Sequence, residues 1–271
     1  MQPVKVPPAS LKRITYRYDT DEYVKRIGVF DSGVGGLSVL REIHRHLPQL
    51  PTIYYADQAN LPYGERSLED IRGLVKKSAE FLIGYGARII VIACHTASAA
   101  SLHDLRASYP EIPIVGMEPA VKPAAEGTKT GVIGVWTTRA TAQSSLYRSV
   151  IERFAGNVRV ITQPAPDLVT MVENGTQDTP EGEAILRRYL QPLIDAHADH
   201  LVLACTHFPF LAPKLSAMSD ITLVDPSAAV ARQVARVLPA IVVPSASRPL
   251  YYTSGSLEAF KTQVDRLLAP V

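Results

Sequence analysis

Short apolar runs alternate with longer segments of helical periodicity along most of this chain, and this alternation constrains its fold more than any other feature. Strand candidates rich in β-branched residues, bounded by Gly, Pro or Asp, lie at residues 27–30, 52–56, 88–93, 112–117, 131–136, 158–162, 200–204 and 221–224. Helical segments separate them, and Ser67 with Asp70 resembles a capping box at the start of one. The pattern predicts an α/β protein with mostly parallel sheets and helices on both faces.

Length and composition narrow the class of protein. A chain of 271 residues is long enough for two domains. No apolar stretch approaches the roughly 18 to 20 residues that a membrane span needs, and the mean hydropathy is +0.06. Basic and acidic residues nearly balance at 28 and 26, without a dense basic block. We therefore expect a soluble enzyme with neither a membrane nor a nucleic acid as partner.

The first 26 residues differ from the rest of the chain. They carry tandem prolines and mixed charges but no continuous apolar run of the kind found in secretory signals. Asp19, Asp21 and Glu22 are acidic, which is unlike an organelle presequence. We expect residues 1–26 to form a flexible or loosely packed N-terminal extension, and the protein to be cytoplasmic.

Both cysteines of the chain end apolar, strand-like runs and stand beside threonine and histidine. Cys94 is followed by His95 and Thr96, and Cys205 by Thr206 and His207, so the second segment is an altered copy of the first. A disulfide is disfavoured without a secretory signal. Zinc would need about four ligands at short spacing, which neither cysteine has. The alternative is burial as small hydrophobic side chains, but the repeated polar neighbours favour a paired proton-transfer site.

Two further loops follow predicted strands, at residues 31–36 and 57–64. In open α/β sheets the functional groups gather where strands end and loops lead into helices. The glycines of the first loop can offer backbone N–H groups to an anion at the start of the next helix. The loop has neither the glycine spacing of a dinucleotide-binding motif nor a Walker lysine, which argues against a cofactor phosphate as its ligand. A small carboxylate is the better candidate ligand.

Five motifs in a fixed order resemble the glutamate racemase family. They lie at residues 28–37, 62–67, 93–98, 116–119 and 205–211, and the match spans residues 27 to about 225. The resemblance implies two pseudo-symmetric α/β domains with the active site in the cleft between them. Domain 1 is predicted at 27–122 plus 234–271, and domain 2 at 123–233. It also implies D-glutamate supply for peptidoglycan, with no cofactor and no metal.

Inversion of an amino acid at Cα explains why such a site needs two thiols. A proton must leave one face of the carbon and another must reach the opposite face, and one residue cannot reach both. Cysteine suits both tasks because neighbouring charges readily adjust its ionisation. The resemblance assigns these roles to Cys94 and Cys205. It implies that Asp31 assists Cys94, and that His207 and Glu173 assist Cys205.

The substrate carboxylate must be held by preorganised donors while negative charge develops beside it. By resemblance these donors are Ser32, Thr96, Thr206 and the backbone around Tyr63 and Gly64. The wider substrate-binding set adds Asp31, His95 and His207. The expected binding partner is the substrate glutamate. The expected protein assembly, if the chain forms one, is a homodimer.

His95 departs from the family pattern. Glutamate racemases usually have asparagine after the first cysteine, whereas histidine is bulkier and can become charged near neutral pH. One hypothesis is that a His95 imidazolium stabilises the Cys94 thiolate, and the other is that His95 is a neutral spacer. Two other functions stay open: racemisation of aspartate or another amino acid, and non-catalytic binding of an amino acid or a protein in the same cleft.

Overall fold

The computed structural model describes residues 12–14, 25–239 and 248–269. Ten strands form two sheets within these residues. The strands are β1 Lys12–Ile14, β2 Arg26–Asp31, β3 Thr52–Ala56, β4 Ala87–Ile92, β5 Ile114–Val115, β6 Val132–Thr137, β7 Arg159–Pro164, β8 His200–Leu203, β9 Thr222–Val224 and β10 Leu250–Thr253. All eight predicted strands are present, with limits that shift by up to two residues.

The first sheet has the strand order β1-β10-β3-β2-β4-β5, and the second has the order β7-β6-β8-β9. Every strand pair is parallel except β1 with β10, which is antiparallel. The predicted fold class is confirmed. We call the first sheet with its helices the first lobe, and the second sheet with its helices the second lobe.

Two strands of the first sheet were not predicted. β1 lies in the proposed N-terminal extension, and β10 comes from the C-terminal segment and pairs with β3. The remaining extension residues, 1–11 and 15–24, lie outside the described part of the chain, so their expected flexibility stays a prediction. Both missed strands sit together at one side of the sheet.

Eleven α-helices accompany these strands in the described residues. They are α1 Leu37–His46, α2 Leu68–Gly84, α3 His95–Ser108, α4 Val121–Gly127, α5 Arg139–Gln143, α6 Ser145–Phe154, α7 Pro166–Asn174, α8 Pro180–Asp195, α9 Ala212–Met218, α10 Ser227–Val237 and α11 Leu257–Leu267. The Ser67 hydroxyl accepts a hydrogen bond from the Asp70 N–H at 3.1 Å, so the predicted cap of α2 is confirmed. Among the described residues, no helix is long and apolar enough to cross a membrane.

The predicted domain limits near residues 122 and 233 fall inside α4 and α10. α4 packs on β6 and β8 of the second lobe, whereas α10 packs on α1 of the first. As domain limits, both positions stay predictions.

The largest apolar core joins both sheets. It contains Val29 and Tyr54 of the first lobe as well as Trp136 and Leu201 of the second, all fully buried. Separate apolar clusters cover the other face of each sheet. Because apolar side chains contact one another across the lobes, the cleft between them has a packed base.

Candidate active site

A cavity of about 250 Å³ lies between the lobes, at the carboxyl ends of the strands. Its size suits a metabolite of amino-acid dimensions better than a drug-sized molecule, whose sites take roughly 300–1,000 Å³. Both lobes line it, the first with Ser32, Tyr63, Gly64, Cys94, His95 and Thr96, and the second with Thr138, Arg139, Glu173, Cys205, Thr206 and His207. Every predicted site residue except Asp31 is part of this lining.

Cys94 stands where β4 gives way to α3. Its sulfur accepts a hydrogen bond from the Ala97 N–H at 3.5 Å and lies 3.6 Å from the Ser32 hydroxyl oxygen. Burial, together with the charge of nearby Asp31, raises the pKa of Cys94 to about 12. The resting form of Cys94 is therefore the thiol, which is a proton donor.

Cys205 belongs to a chain of contacts that ends on a carboxylate. Its sulfur lies 3.7 Å from Nδ1 of His207, and Nε2 of His207 lies 2.7 Å from Oε1 of Glu173. Burial opposes a charge on His207, but contact with Cys205 and Glu173 prevails and raises its pKa well above the usual value. Burial likewise opposes a charge on Glu173, yet the bonds and charge of His207 lower its pKa. An imidazolium thus stands beside the Cys205 sulfur and stabilises negative charge on it.

The loop of residues 31–36 binds carboxylates of the protein itself. Asp31 Oδ1 accepts a hydrogen bond from the Gly33 N–H at 2.7 Å, and the Val34 N–H donates to Glu173 Oε1 at 3.0 Å. The Val34 N–H thus donates to a side chain of the protein, whereas the prediction for this loop is a small carboxylate ligand. This contact links the first lobe to the chain of residues beside Cys205.

Asp31 is fully buried and is not part of the cavity lining. Its Oδ2 accepts a hydrogen bond from the Thr206 hydroxyl at 3.0 Å, and burial raises its pKa. Within the described residues no hydrogen bond joins Asp31 to Cys94, and Ser32 is the side chain that contacts the Cys94 sulfur. Asp31 therefore acts on Cys94 through charge.

Several hydroxyls of the predicted substrate-binding set already have protein partners. The Tyr63 hydroxyl donates to Asp57 Oδ2 at 2.7 Å, so this side chain positions its loop. The Thr96 hydroxyl contacts those of Thr138 and Thr141 at 2.9 and 3.2 Å, which joins the two lobes at the cavity wall. Gly64 lies against Thr138 so closely that a Cβ there would be 3.0 Å from the Thr138 Cβ.

His95 is the one fully buried histidine of the cavity wall whose ring has no partner in the described structure. Only 2% of the residue is exposed, and neither ring nitrogen makes a hydrogen bond. Burial lowers the pKa of His95 to about 3, so the ring is neutral near neutral pH. The hypothesis of a His95 imidazolium beside Cys94 is wrong for this structure, because no acidic group offsets the loss of water.

Three residues that complete the site were not predicted from the sequence. Thr138 follows β6, so the rule that directed attention to the ends of strands applied to it as well. Gln58 and Gln263 bind Glu173 Oε2, and α11, which carries Gln263, has no sequence signal for a site. Among the described residues, no group of three or more His, Cys, Asp and Glu side chains could hold a metal ion.

A small cavity between two α/β lobes, with one buried free thiol from each lobe, is the arrangement that proton transfer to both faces of one carbon atom requires. The sequence pattern of Asp/Glu/Hydantoin racemases matches residues 27–234, and the chain belongs to this family. The glutamate racemase of Ectopseudomonas mendocina (strain ymp) is 45% identical over 247 residues, which cover 89% of this chain and 94% of the relative.

Two solved structures share the fold. Escherichia coli glutamate racemase in complex with L-glutamate and the activator UDP-MurNAc-ala has a TM-score of 0.79 and 33% identity, covering 90% of this chain and 95% of its own. Glutamate racemase from Francisella tularensis subsp. tularensis SCHU S4 in complex with D-glutamate has a TM-score of 0.79 and 28% identity, covering 91% and 94%.

Proposed function

We propose that this protein is a glutamate racemase that interconverts L- and D-glutamate by proton transfer at Cα. The observation that carries the proposal is the placement of Cys94 and Cys205, one from each lobe, as free thiols in the wall of one cavity. Relatives named glutamate racemase, including structures that hold each enantiomer of glutamate, support this choice of substrate.

In one direction Cys205 is the base and Cys94 the acid. The Cys205 thiolate, paired with the His207 imidazolium, takes the α-proton and leaves a carbanion at Cα. The Cys94 thiol then delivers its proton to the opposite face of the carbon. This leaves Cys205 as a thiol and Cys94 as a thiolate. The opposite enantiomer reacts from that second state, with the two roles exchanged.

Uncharged hydrogen-bond donors carry the developing negative charge. The donors that line the cavity from the first lobe are Ser32, Thr96 and the backbone at Gly64, whereas Thr206 lines it from the second lobe with its hydroxyl proton donated to Asp31. We assign His95 to the same set, because a neutral imidazole offers one N–H donor and one acceptor to a substrate that fills the cavity. Asp31 holds the Thr206 hydroxyl in place and adds its negative charge near Cys94.

The proposed role of the product is supply of D-glutamate for peptidoglycan, which is carried over with the family resemblance. The proposed compartment is the cytoplasm, because a reducing environment keeps two free thiols from oxidation. The peptidoglycan role is tested by growth of a bacterium that requires added D-glutamate: expression of this protein should remove the requirement. A homodimer stays a prediction that sedimentation can test.

Exchange of the α-proton for deuterium in D₂O tests the proposed activity. Exchange and inversion with glutamate support it, and exchange with aspartate alone would assign another substrate in the same family. Binding of an amino acid without exchange would make the protein a non-catalytic homologue. His95 motivates both alternatives, since it occupies a wall position where relatives of this type usually have asparagine.

Replacement of either cysteine by serine tests the mechanism. We expect Cys94→Ser and Cys205→Ser each to lower racemisation by at least about a thousandfold, because an alcohol is a far weaker acid than a thiol. Circular dichroism of glutamate solutions follows inversion, and the thermal midpoint of each variant controls for folding. Full activity in both variants would contradict the two-thiol mechanism.

A further inference from the structure

Glu173 uses its two carboxylate oxygens for different neighbours. Oε1 faces His207 and the Val34 N–H, as described above. Oε2 accepts hydrogen bonds from Nε2 of Gln263 at 3.0 Å and from Nε2 of Gln58 at 3.2 Å. Glu173 lies on α7 of the second lobe, whereas both glutamines belong to the first. The carboxylate beside the proton-transfer residues is therefore held across the cleft by two amides.

Both amides have a determined orientation. The Gln58 Oε1 accepts a hydrogen bond from the Thr253 hydroxyl at 2.8 Å, which leaves its NH₂ group directed at Gln263 and Glu173. The Gln263 Oε1 accepts from Gln58 at 2.8 Å, and its own NH₂ group donates to the Glu173 carbonyl and carboxylate. Because an amide has one acceptor end and one donor end, a flip of either glutamine would place oxygen against oxygen.

The rest of α11 holds the same end of α7. Arg266 donates to the backbone carbonyl of Val172 at 2.6 Å and to that of Glu173 at 3.3 Å. The guanidinium thus binds carbonyls that α7 leaves open at its C-terminus, where positive charge is favoured.

We propose that Gln58 and Gln263 are positioning residues of this enzyme, which hold Glu173 Oε2 so that the other carboxylate oxygen, Oε1, keeps His207 in contact with Cys205. The inference rests on the proposed function for its meaning in catalysis. The structural part of the inference is that the reactivity of Cys205 depends on two distant amides. This dependence can be measured without any substrate.

Neutral amides suit this task better than cations. A lysine or arginine on Oε2 would share the charge of Glu173 and weaken its attraction for the His207 imidazolium, whereas an amide fixes geometry and adds no charge. The other titratable or charged groups near Glu173 and His207 are Arg266 on α11, which binds the Glu173 carbonyl, Asp31 on β2 and Tyr54 on β3, together with the two cysteines. None of them makes a hydrogen bond to the glutamine amides in the described structure.

Alkylation of the two cysteines by iodoacetamide, resolved by peptide mass spectrometry across pH, tests the inference. Gln263→Met removes the donor with little change of volume, and Gln263→Glu places a carboxylate against Glu173. We expect Cys205 alkylation at pH 7 to fall about fivefold in the first variant and about tenfold or more in the second.

Two controls separate positioning from general loosening of the fold. Cys94 is an internal control at the alkaline end of the pH series, since its resting thiol reacts little at pH 7. It lies on the other lobe and makes no hydrogen bond to Glu173 in the described structure, so its alkylation should stay unchanged. Gln191→Met makes the same change at an exposed helical site on α8 and should change neither cysteine. The Gln263 variants could detach α11 from the fold, which would lower the thermal midpoint. In that case Gln58→Met tests the same contact to Glu173 from the loop that follows β3.

The outcomes distinguish this inference from the proposed function. Unchanged Cys205 alkylation in Gln263→Met, Gln263→Glu and Gln58→Met would overturn it, and so would an equal fall at both cysteines. A selective fall at Cys205 in a protein that does not exchange the α-proton of glutamate would support the positioning role and reject glutamate racemisation. With activity present, the basic limb of the kcat profile should move to lower pH in Gln263→Met, while that of Gln191→Met coincides with wild type.

Discussion

At the scale of single residues, His95 is the least satisfied side chain of the cavity wall. Its ring is buried without a partner for either nitrogen, and it occupies the first position of α3. A helix N-terminus carries partial positive charge, so the helix and the loss of water both oppose an imidazolium there. A neutral ring with an open donor and an open acceptor is prepared for a polar ligand.

Replacement of His95 by asparagine should make the stability of the protein less sensitive to acid. The unfolded chain binds a proton at His95 below about pH 6.5, whereas burial in the folded state lowers the pKa to about 3. The stability contribution of neutral His95 is therefore complete above about pH 6.5 and is lost as pH falls towards 3. Between pH 7.5 and pH 5, wild type should lose about 2 kcal/mol more unfolding free energy than His95→Asn.

Urea denaturation at the two pH values measures this difference. His103→Asn is the matched control, because the His103 side chain is 98% exposed, and its pH dependence should match that of wild type. The racemisation profile of His95→Asn should keep its limbs between pH 5 and pH 9, since His95 does not change charge there. A shifted acid limb would contradict a neutral His95.

At the scale of elements, the loop between β2 and α1 brings the two lobes into close contact. A Cβ atom at Gly35 would lie 2.5 Å from both His207 Nδ1 and Thr206 Oγ1, and one at Gly33 would lie 2.2 Å from Glu173 Oε1. Side chains at these two positions would displace the residues beside Cys205. Glycine is therefore required here by the approach of the second lobe.

Gly35→Ala should lower kcat by about a hundredfold or more, because the added methyl group pushes His207 away from Cys205. Gly73→Ala is the matched control, since Gly73 is exposed on α2 and a Cβ there meets nothing within 4 Å. The control should keep its activity and gain about 0.5–1 kcal/mol in unfolding free energy, as expected for alanine in a helix interior. Comparable activity in both variants would contradict this prediction, because it would mean that the loop between β2 and α1 moves to accept the methyl group without displacing His207.

At the scale of the whole molecule, the lobes share structure on three sides of the cavity. An apolar core joins the sheets at the base, Thr96 meets Thr138 at the wall, and Gln263 of α11 reaches Glu173. Unfolding of one lobe alone would break these contacts, so its free-energy cost is high while the other lobe stays folded.

We expect a single cooperative unfolding transition. Trp136 is the only tryptophan of the chain and lies fully buried in the second lobe, so its fluorescence reports on that lobe. Far-ultraviolet circular dichroism reports on the helices of both lobes. The two signals should give the same urea midpoint, and a tryptophan transition that precedes the loss of circular dichroism would mean that the second lobe unfolds alone.

Local patterns in the chain were sufficient for the α/β class, for eight of the ten described strands and for the loops that carry the site. The reason is that β-branched runs, helical periodicity and strand-end motifs act over a few residues each. The paired cysteines and the motif order were likewise enough for the family. β1 and β10 were not predicted, because they are stabilised by pairing with strands that are distant in sequence.

The ionisation of the site was decided only by the tertiary structure. Whether His95 is neutral depends on burial, and whether His207 is charged depends on Cys205 and Glu173, which stand together through contacts between the lobes. Gln263 is 90 residues from Glu173 in the chain, and no local pattern marks an amide on α11 as its partner. Charge states and partners follow from distance and exclusion of water, and both are properties of the folded chain alone.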